Sequence, residues 1–354
     1  MKGFGVIKPF EQVGWVQKEK PVLGPCDALL EPVAICPCTS DVHTAYDIPA
    51  TPNRILGHEA VGRIVEVGRE VKDFKVGDVV AVPAVTPKWR TLDIQDSYHQ
   101  HSGGLFKGMQ LSSSEDGCMA EYFKVNDIDM NVAKVPDGVP LEAAVLVGDM
   151  MTTGFHGAEL GNVGFGDSVC VIGIGPVGLM AVAGCALRGA GKLYAVGSRP
   201  VCCELAQEYG ATEIIDYKNG PIAEQVLKLN GGRQIDVAII AGGGTGSIEE
   251  AYNMVRPGGT IVNIEVQSDT NGLVIPTYAS GFGLAHKTFV GGLCPGGRRR
   301  MERLMDMILE GRINPSKMIT HKFYGLDACE DAFYLMRDKP KDLIKPIVYF
   351  DQKK

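Results

Sequence analysis

Two different patterns of apolar and polar residues divide this chain. Up to about residue 150, short β-rich runs such as 60–68 and 76–83 are interrupted by glycine and proline. Turn signals at such short intervals are typical of a β-barrel-like domain. From about 153 to 293, apolar strands alternate with helices. That alternation predicts a series of βαβ units around a doubly wound parallel sheet.

The middle region can be assigned element by element. We predict strands at 169–172, 193–196, 214–216, 237–241 and 260–264, with helices at 177–189, 202–209, 222–229 and 247–255. After about 294 the pattern is mixed again, with an apolar helix (301–309) and a last strand (346–350). This tail is too short for a separate domain. The sequence therefore predicts an α/β protein of two domains, 1–152 with 294–354 and 153–293.

Composition and charge exclude several classes of function. A chain of 354 residues, 45% of them hydrophobic and 22% charged, is globular and long enough for two domains. Its net charge of −7 gives no general attraction to nucleic acid or to an anionic membrane. No apolar run approaches the ~20 residues of a membrane span, and no signal-peptide core is present. The ten cysteines are scattered, which predicts reduced thiols in a cytoplasmic protein.

Side chains that bind metals well occur close together in the first region. His58, in the phrase 57–62, follows twenty positions after Cys38. A thiolate and an imidazole are both good ligands for a borderline-soft dication such as zinc. The Ser40 hydroxyl and the His43 imidazole lie just beyond the cysteine. We predict a metal site here, with a route by which a proton leaves the group that the metal activates.

A glycine fingerprint predicts a dinucleotide site in the middle region. Gly173, Gly175 and Gly178, with Pro176 and Val177 between the last two, follow a buried strand and open a helix rich in alanine, glycine and methionine. Glycine is abundant in this chain, so the fingerprint depends on that context. The three glycines permit a tight turn, a close approach to pyrophosphate, and packing of helix on strand. The helix N-terminus then faces the phosphates.

The residues after the next predicted strand indicate which cofactor is bound. An NAD site usually has an acidic residue about 20 positions after the fingerprint, for the ribose 2′-hydroxyl. Here the strand is followed by Gly197, Ser198 and Arg199, with no acid. Glycine leaves room for a 2′-phosphate on the ribose, serine can donate a hydrogen bond to it, and a guanidinium pairs with the phosphate dianion. The sequence predicts NADP(H).

With these residues identified, the chain resembles the zinc-dependent medium-chain alcohol dehydrogenases, especially their NADP-dependent secondary-alcohol subgroup. The similarity runs over nearly the whole length, through segments 37–41, 55–59, 149–157, 197–200, 291–297 and 339–346. It implies a GroES-like catalytic domain (1–152 with 294–354) and a Rossmann NADP-binding domain (153–293). It also implies a small alcohol or ketone as substrate, and a homotetramer.

The resemblance extends the metal site. Cys38, His58 and Asp149 match the ligands of one catalytic zinc, and Glu59 matches a carboxylate that approaches the zinc when no substrate is bound. From the residues alone, Asp149 reads as an acid at a helix N-terminus. Residues 84–117 contain no cysteine, so a second, structural zinc is not expected.

The resemblance also implies a mechanism. Zinc lowers the pKa of the alcohol, which binds as a zinc alkoxide and transfers hydride to the nicotinamide. Ser40, beside Thr39, accepts the proton and passes it through the cofactor ribose to His43. Further cofactor contacts are implied at Tyr217, Glu265 and Lys339. The implied substrate pocket comprises Ala84, Met109, Val266, Leu293 and Cys294.

Three departures from close relatives bear on substrate size and cofactor binding. Met109 and Val266 stand where tryptophan and tyrosine are usual, so we expect a pocket with more space and a softer wall. Glu265 replaces a residue that is often asparagine, which leaves the affinity for the cofactor open.

Two other functions stay open at the level of sequence. A zinc-free quinone or enone reductase would share the fold and the NADPH site but lack the Cys-His-Asp set. A non-catalytic NADPH-binding protein would be expected to have lost metal ligands. The full set in this chain favours a zinc-dependent oxidoreductase that acts on secondary alcohols, ketones and aldehydes.

Overall fold

The computed structural model describes residues 1–96, 98–244, 246–267 and 272–350. Its strands are β1 (Lys2–Lys8), β2 (Gln12–Gln17), β3 (Ala28–Ile35), β4 (Arg54–Ile55), β5 (Ala60–Val67), β6 (Val79–Val82), β7 (Phe123–Val125), β8 (Ala133–Lys134), β9 (Ser168–Ile172), β10 (Lys192–Val196), β11 (Glu213–Ile215), β12 (Ile235–Ile240), β13 (Val255–Asn263), β14 (Thr288–Gly291), β15 (Ile319–Tyr324) and β16 (Lys345–Tyr349). Its helices are α1 (Thr39–Tyr46), α2 (Ile128–Asn131), α3 (Leu141–Leu146), α4 (Thr152–Leu160), α5 (Pro176–Leu187), α6 (Pro200–Glu208), α7 (Ile222–Leu229), α8 (Gly246–Met254), α9 (Arg298–Leu309) and α10 (Ala328–Asp338).

The chain divides into two units. One consists of Met1–Thr152 together with Cys294–Lys354, and the other of Thr153–Leu293. The first unit is rich in β-strands, and the second alternates strands with helices. The prediction of an α/β protein with a β-rich part and a parallel-sheet part is confirmed.

In the first unit, β3 is the central strand of the larger sheet. Seven of its eight residues are buried because its sequence is almost continuously apolar. Within the described residues the order is β15-β16-β3-β5-β6-β8, with β7 also paired to β3. The last strand, β16, lies antiparallel to β3, with Val348 opposite Ile35. This pairing is how the C-terminal tail joins the unit formed by the first 150 residues.

In the second unit, the described strands form one parallel sheet in the order β11-β10-β9-β12-β13-β14. The chain starts at β9, builds outward to β11, and then returns to place β12 on the other side of β9. Helices α5 to α8 connect these strands. In such sheets a ligand binds at the carboxyl ends of the strands where the winding direction reverses. Here that position is between β9 and β12.

Most predicted elements are present, and their limits differ for local reasons. The helix predicted at 222–229 has those limits. The run 76–83 forms a strand only from Val79, because Gly77 has a φ of +96° and lies in a turn. The second unit also contains β14, and the tail contains β15 and α10, none of which we predicted.

The first two residues of α9, Arg298 and Arg299, form ion pairs. Arg298 pairs with Asp73 and Glu302, and Arg299 also pairs with Glu302. None of the described helices is both long and apolar enough to cross a membrane.

Candidate metal centre and dinucleotide turn

Four buried side chains of the first unit converge. One ligand atom from each of Cys38, His58, Glu59 and Asp149 lies within 4.8 Å of all the others. Cys38 Sγ is 3.7 Å from Asp149 Oδ2, and His58 Nε2 is 3.3 Å from the same oxygen. A thiolate, an imidazole and carboxylates at this spacing suit a zinc ion. All four residues are those that the sequence and the resemblance indicated.

Cys38 is held at the start of α1. It occupies the position before the first helical residue, with extended backbone angles. Its backbone N–H donates to Asp41 Oδ2 at 2.9 Å, and Asp41 is the third residue of the helix. The other oxygen of Asp41 accepts a hydrogen bond from Gly57 N at 3.0 Å. One carboxylate therefore ties the segment that carries Cys38 to the segment that carries His58.

Asp41 also orients the imidazole of His58. His58 Nδ1 lies 3.1 Å from Asp41 Oδ1. Because an ionised carboxylate only accepts, Nδ1 carries the hydrogen and Nε2 faces the cluster. Burial alone lowers the pKa of His58, but Asp41 and Asp149 outweigh it and raise that pKa well above its ordinary value. The site therefore stabilises positive charge at Nε2, where a metal cation would bind.

Asp149 lies inside a helical stretch and not at a helix N-terminus, as its residue type alone suggested. Residues Val147–Met151 form a wide π-type turn between α3 and α4. Such turns are frequent at functional sites because they redirect one side chain without ending the helix. The turn is fixed through Gly148, whose carbonyl accepts a hydrogen bond from Ala84 N at 3.0 Å. The Asp149 side chain is consequently directed into the cluster.

Glu59 is paired with a lysine that the sequence analysis did not identify. The Lys345 ammonium, fully buried, contacts Glu59 Oε1 and lies 3.8 Å from Met150 Sδ. Burial raises the pKa of Glu59 to about 7, with Asp149 adding to this rise and Lys345 opposing it. Burial lowers the pKa of Lys345, but Cys38 and Glu59 outweigh that effect and raise it. Glu59 therefore lies beside both an acidic ligand, Asp149, and a buried ammonium, that of Lys345.

The predicted proton-relay residues lie on α1. Ser40 Oγ is 3.0 Å from His58 Nε2. His43, three residues later, is half-buried and contacts the Asp47 carboxylate through Nδ1. Residues three apart lie on one face of a helix. Thr39 is the half-buried first residue of α1. The helix therefore carries the Ser40 hydroxyl beside the cluster and the half-buried His43 imidazole one turn further along.

The glycine turn of the second unit is shaped by close backbone packing. Gly173 follows β9 with a φ of +88°, and an added Cβ would lie 2.7 Å from the backbone of Gly242. A Cβ on Gly178 would lie 1.8 Å from the carbonyl oxygen of Gly173. Both positions therefore require glycine for the turn itself.

The middle glycine faces open space. An added Cβ on Gly175 would have only Arg199 Nη2 nearby, at 3.9 Å. Gly175 precedes α5, Pro176 is its first residue, and no side chain caps the N–H groups of this turn. Leu179 N already donates to the Gly175 carbonyl at 2.8 Å, so it is the N–H groups before it, beginning with that of Val177, that can face the phosphates of a dinucleotide. The open cradle fits the cofactor that the sequence predicts.

The residues predicted to select the cofactor lie at the end of β10. Gly197 packs against Ile174, whose Cγ1 would be 2.3 Å from an added Cβ. Ser198 Oγ donates a hydrogen bond to Tyr217 OH at 3.2 Å. Arg199 precedes the first residue of α6 and is half-buried. The hydroxyl pair thus lies at the end of β10, and the guanidinium of the following residue reaches the glycine turn, where its Nη2 is 3.9 Å from a Cβ built on Gly175.

The remaining predicted residues lie in several places within their own units. Glu265 follows β13 and accepts a hydrogen bond from Gln267 Nε2 at 3.1 Å. Lys339 ends α10 with a φ of +46°. The implied pocket residues range from buried (Ala84, Cys294) through half-buried (Met109, Leu293) to exposed (Val266).

Comparison with known protein families matches both units. Residues 24–137 match the alcohol dehydrogenase GroES-like domain. Residues 176–310 match the zinc-binding dehydrogenase family.

Curated relatives match along almost the whole chain. The NADP-dependent isopropanol dehydrogenase of Thermoanaerobacter brockii is 57% identical over 98% of this chain and 99% of the relative. The enzyme of the same name from Clostridium beijerinckii is 53% identical over the same shares. Among solved structures, the alcohol dehydrogenase TADH from Thermus sp. ATN1 has a TM-score of 0.83 at 26% identity, covering 99% of this chain and 100% of that one.

Proposed function

This chain belongs to the zinc-dependent medium-chain alcohol dehydrogenases, and we propose that it transfers hydride between NADP(H) and secondary alcohols or ketones. The observation that carries the proposal is the convergence of Cys38, His58 and Asp149, whose ligand atoms lie within 4.8 Å of one another. The alternative, a zinc-free quinone or enone reductase, would lack this set of metal ligands. The names of the curated relatives, NADP-dependent isopropanol dehydrogenases, support the same substrate class.

Cys38, His58 and Asp149 would hold one zinc per chain, and Glu59 would approach the metal when no substrate is bound. When bound, zinc acts as a Lewis acid on the substrate oxygen, and the nicotinamide of NADP accepts or returns the hydride. The absence of cysteine from residues 84–117 supports a single zinc. In alcohol oxidation the carbon loses hydride and the hydroxyl loses a proton, so one proton must leave the site.

Ser40 and His43 would carry that proton. The Ser40 hydroxyl, 3.0 Å from His58 Nε2, lies against the metal ligands and can accept from a substrate hydroxyl there. His43, one helical turn further and half-buried, would pass the proton on to solvent. Asp41 keeps the His58 ring in place throughout.

In the second unit, the glycine turn would hold the pyrophosphate, and Ser198, Arg199 and Tyr217 the 2′-phosphate. A cytoplasmic homotetramer also belongs to the proposal, supported by the family resemblance alone.

A panel of substrates with purified protein tests the function. We expect oxidation of NADPH with simple ketones and aldehydes, reduction of NADP with secondary alcohols, and lower kcat/KM with NADH. Metal analysis of the same sample should find one zinc per chain. Reduction of enone or quinone double bonds by protein without zinc would instead establish the alternative function.

A further inference from the structure

We propose that His99 is a positioning residue that sets substrate selectivity by holding the segment 294–297, which begins with Cys294, against the loop that carries Met109. The inference rests on the proposed function, because Cys294 and Met109 belong to the substrate pocket that the family resemblance implies. It adds a residue outside that implied set, which acts through the two segments on which these side chains lie.

The loop between His99 and Met109 is closed on itself. Gly108 N donates a hydrogen bond to the Gln100 carbonyl at 3.0 Å, and a Cβ built on Gly108 would lie 2.5 Å from the same oxygen. The Gly108 carbonyl in turn accepts a hydrogen bond from Thr86 N at 2.9 Å. Because Gln100 follows His99 and Gly108 precedes Met109, this closure brings His99 and Met109 to neighbouring ends of one anchored loop.

The imidazole of His99 connects this loop to the segment 294–297. Its Nε2 accepts a hydrogen bond from Gly296 N at 3.0 Å. Because a backbone N–H can only donate, Nε2 carries no hydrogen, and the ring is neutral with its hydrogen on Nδ1. Gly296 is buried, and a Cβ there would lie 1.9 Å from the Val85 carbonyl oxygen. Without the imidazole, a buried N–H would lose its acceptor, which is costly.

Trp89 fixes the orientation of the imidazole. Its ring stacks on that of His99, with centroids 5.2 Å apart and an angle of 24° between the planes. The same ring packs on Gly297, where an added Cβ would lie 2.9 Å from Trp89 Cζ2. The indole N–H donates to Asn131 Oδ1 at 2.8 Å. Because the indole is itself held, His99 is directed towards Gly296.

The peptide bond that His99 binds is also held from the side of the metal centre. Thr152 is buried and directly follows the turn 147–151. Its Oγ1 donates to the Pro295 carbonyl at 2.8 Å, and this carbonyl belongs to the same peptide group as Gly296 N. A trans peptide directs its oxygen and its hydrogen to opposite sides. The peptide therefore bridges the metal-binding stretch and the loop, and Cys294, the residue before it, depends on both bonds.

The test measures a ratio of kcat/KM values for two ketones, which does not depend on how much of a sample is folded. In His99→Phe, which keeps a ring against Trp89 but removes the acceptor, we expect kcat/KM for butyl methyl ketone relative to acetone to fall about five- to tenfold. The longer ketone uses the apolar wall more, so the loss should appear mainly in its KM. His99→Gln, whose amide oxygen can accept from Gly296 N, should keep the wild-type ratio. Zinc content and KM for NADPH should be unchanged in both variants.

A second variant keeps the inference testable if His99→Phe does not fold. His99→Asn carries the same amide as His99→Gln, but one methylene nearer the backbone, so it should not reach Gly296 N. We expect the ratio to fall in His99→Asn as in His99→Phe. An unchanged ratio in folded His99→Phe or His99→Asn, or an equal fall in His99→Gln, would overturn the inference.

The wild-type measurements distinguish failure of the proposed function. If wild-type protein oxidises NADPH with neither ketone, the proposed function fails, and this inference fails with it. If wild-type protein turns over both ketones and every variant has the wild-type ratio, only the role of His99 is refuted.

Discussion

At the scale of single residues, Arg199 should decide the choice of cofactor. A charge-assisted pair between a guanidinium and the 2′-phosphate contributes about 1.5–3 kcal/mol, or roughly ten- to a hundredfold in affinity. We therefore expect Arg199→Ala to lose most of the preference for NADPH over NADH, measured as the ratio of kcat/KM values. Tyr217→Phe, which removes the hydroxyl 3.2 Å from Ser198 Oγ, is the matched control and should lose less. An unchanged ratio in Arg199→Ala would mean that the discriminating group lies elsewhere.

Some residues of the metal centre could be predicted from the sequence and others could not. Cys38 and His58 lie within twenty positions of each other, and both are residue types that bind zinc. A metal site could therefore be predicted from this short segment of the sequence. Asp149 needed the family resemblance, because a π-type turn and not a helix start directs it into the cluster. Lys345 lies 286 residues from its partner Glu59. Nothing in a strand sequence distinguishes a buried, paired lysine from an exposed one.

At the scale of elements, the turn between β9 and α5 permits a matched pair of substitutions. Gly178→Ala places a Cβ 1.8 Å from the Gly173 carbonyl, so we expect it to destabilise the protein by at least 1–3 kcal/mol, roughly the cost of overpacking. Gly175→Ala meets no such obstacle and should leave the thermal midpoint unchanged. It should nevertheless weaken NADPH binding about tenfold or more, since the Cβ keeps the pyrophosphate from the backbone. Tight NADPH binding by Gly175→Ala would argue against this turn as the phosphate site.

Asp236 of β12 should make stability depend on pH. It accepts hydrogen bonds from Ser168 N at 2.8 Å and Ser168 Oγ at 2.7 Å, and it pairs with Arg256 Nε at 2.7 Å. Burial opposes these partners, but together they lower the pKa of Asp236 below its ordinary value. A lowered carboxyl pKa stabilises the fold above the unfolded-state pKa of about 4, and this contribution disappears as pH falls through the folded-state value.

Urea unfolding at several pH values measures this effect. At neutral pH we expect Asp236→Asn to lower the free energy of unfolding by about 1–2 kcal/mol, a value that allows for partial exposure of the pair. The difference from wild type should shrink below about pH 4. The exposed Asp137→Asn serves as the control. A difference that persists undiminished in acid would show that the carboxylate charge is not responsible.

Elements were more predictable where the local pattern was strong. The regular alternation in the second unit identified its strands up to β13 because each is a short apolar run between helices. β14 was not predicted, since Thr288–Gly291 has only four residues and none of them is fully buried. The late start of β6 depends on a backbone angle at Gly77 that residue types do not specify.

At the scale of the whole molecule, Met109, which is smaller than the tryptophan that the family resemblance leads us to expect there, should widen the range of ketones that the protein accepts. Each methylene that finds an apolar wall is worth about 0.8 kcal/mol, so one or two extra carbons can shift selectivity several- to tenfold. Along a series of methyl ketones we expect kcat/KM to peak beyond butanone, and Met109→Trp to move the peak to shorter ketones. A peak at acetone or butanone that Met109→Trp leaves unaltered would mean that neighbouring side chains fill the space.

The sequence predicted only in part how the C-terminal tail joins the first unit. The length of the tail after residue 294 indicated that it joins the first region, but not through which strand. That β16 pairs with β3 depends on hydrogen bonds between residues more than 300 positions apart, such as those near Ile35 and Val348. Local pattern contains no information about such pairings. The pairing also brings Lys345 to the metal centre.

The central claim is that turnover depends on a zinc held by Cys38, His58 and Asp149. The most direct test is NADPH oxidation with butanone by one protein sample before chelation, after chelation, and after return of one equivalent of zinc. We predict that activity is lost with the metal and returns with it. Cys38→Ser, folded as judged by far-ultraviolet circular dichroism, should stay inactive at every stage. Full activity in metal-free protein, or in Cys38→Ser, would contradict the account.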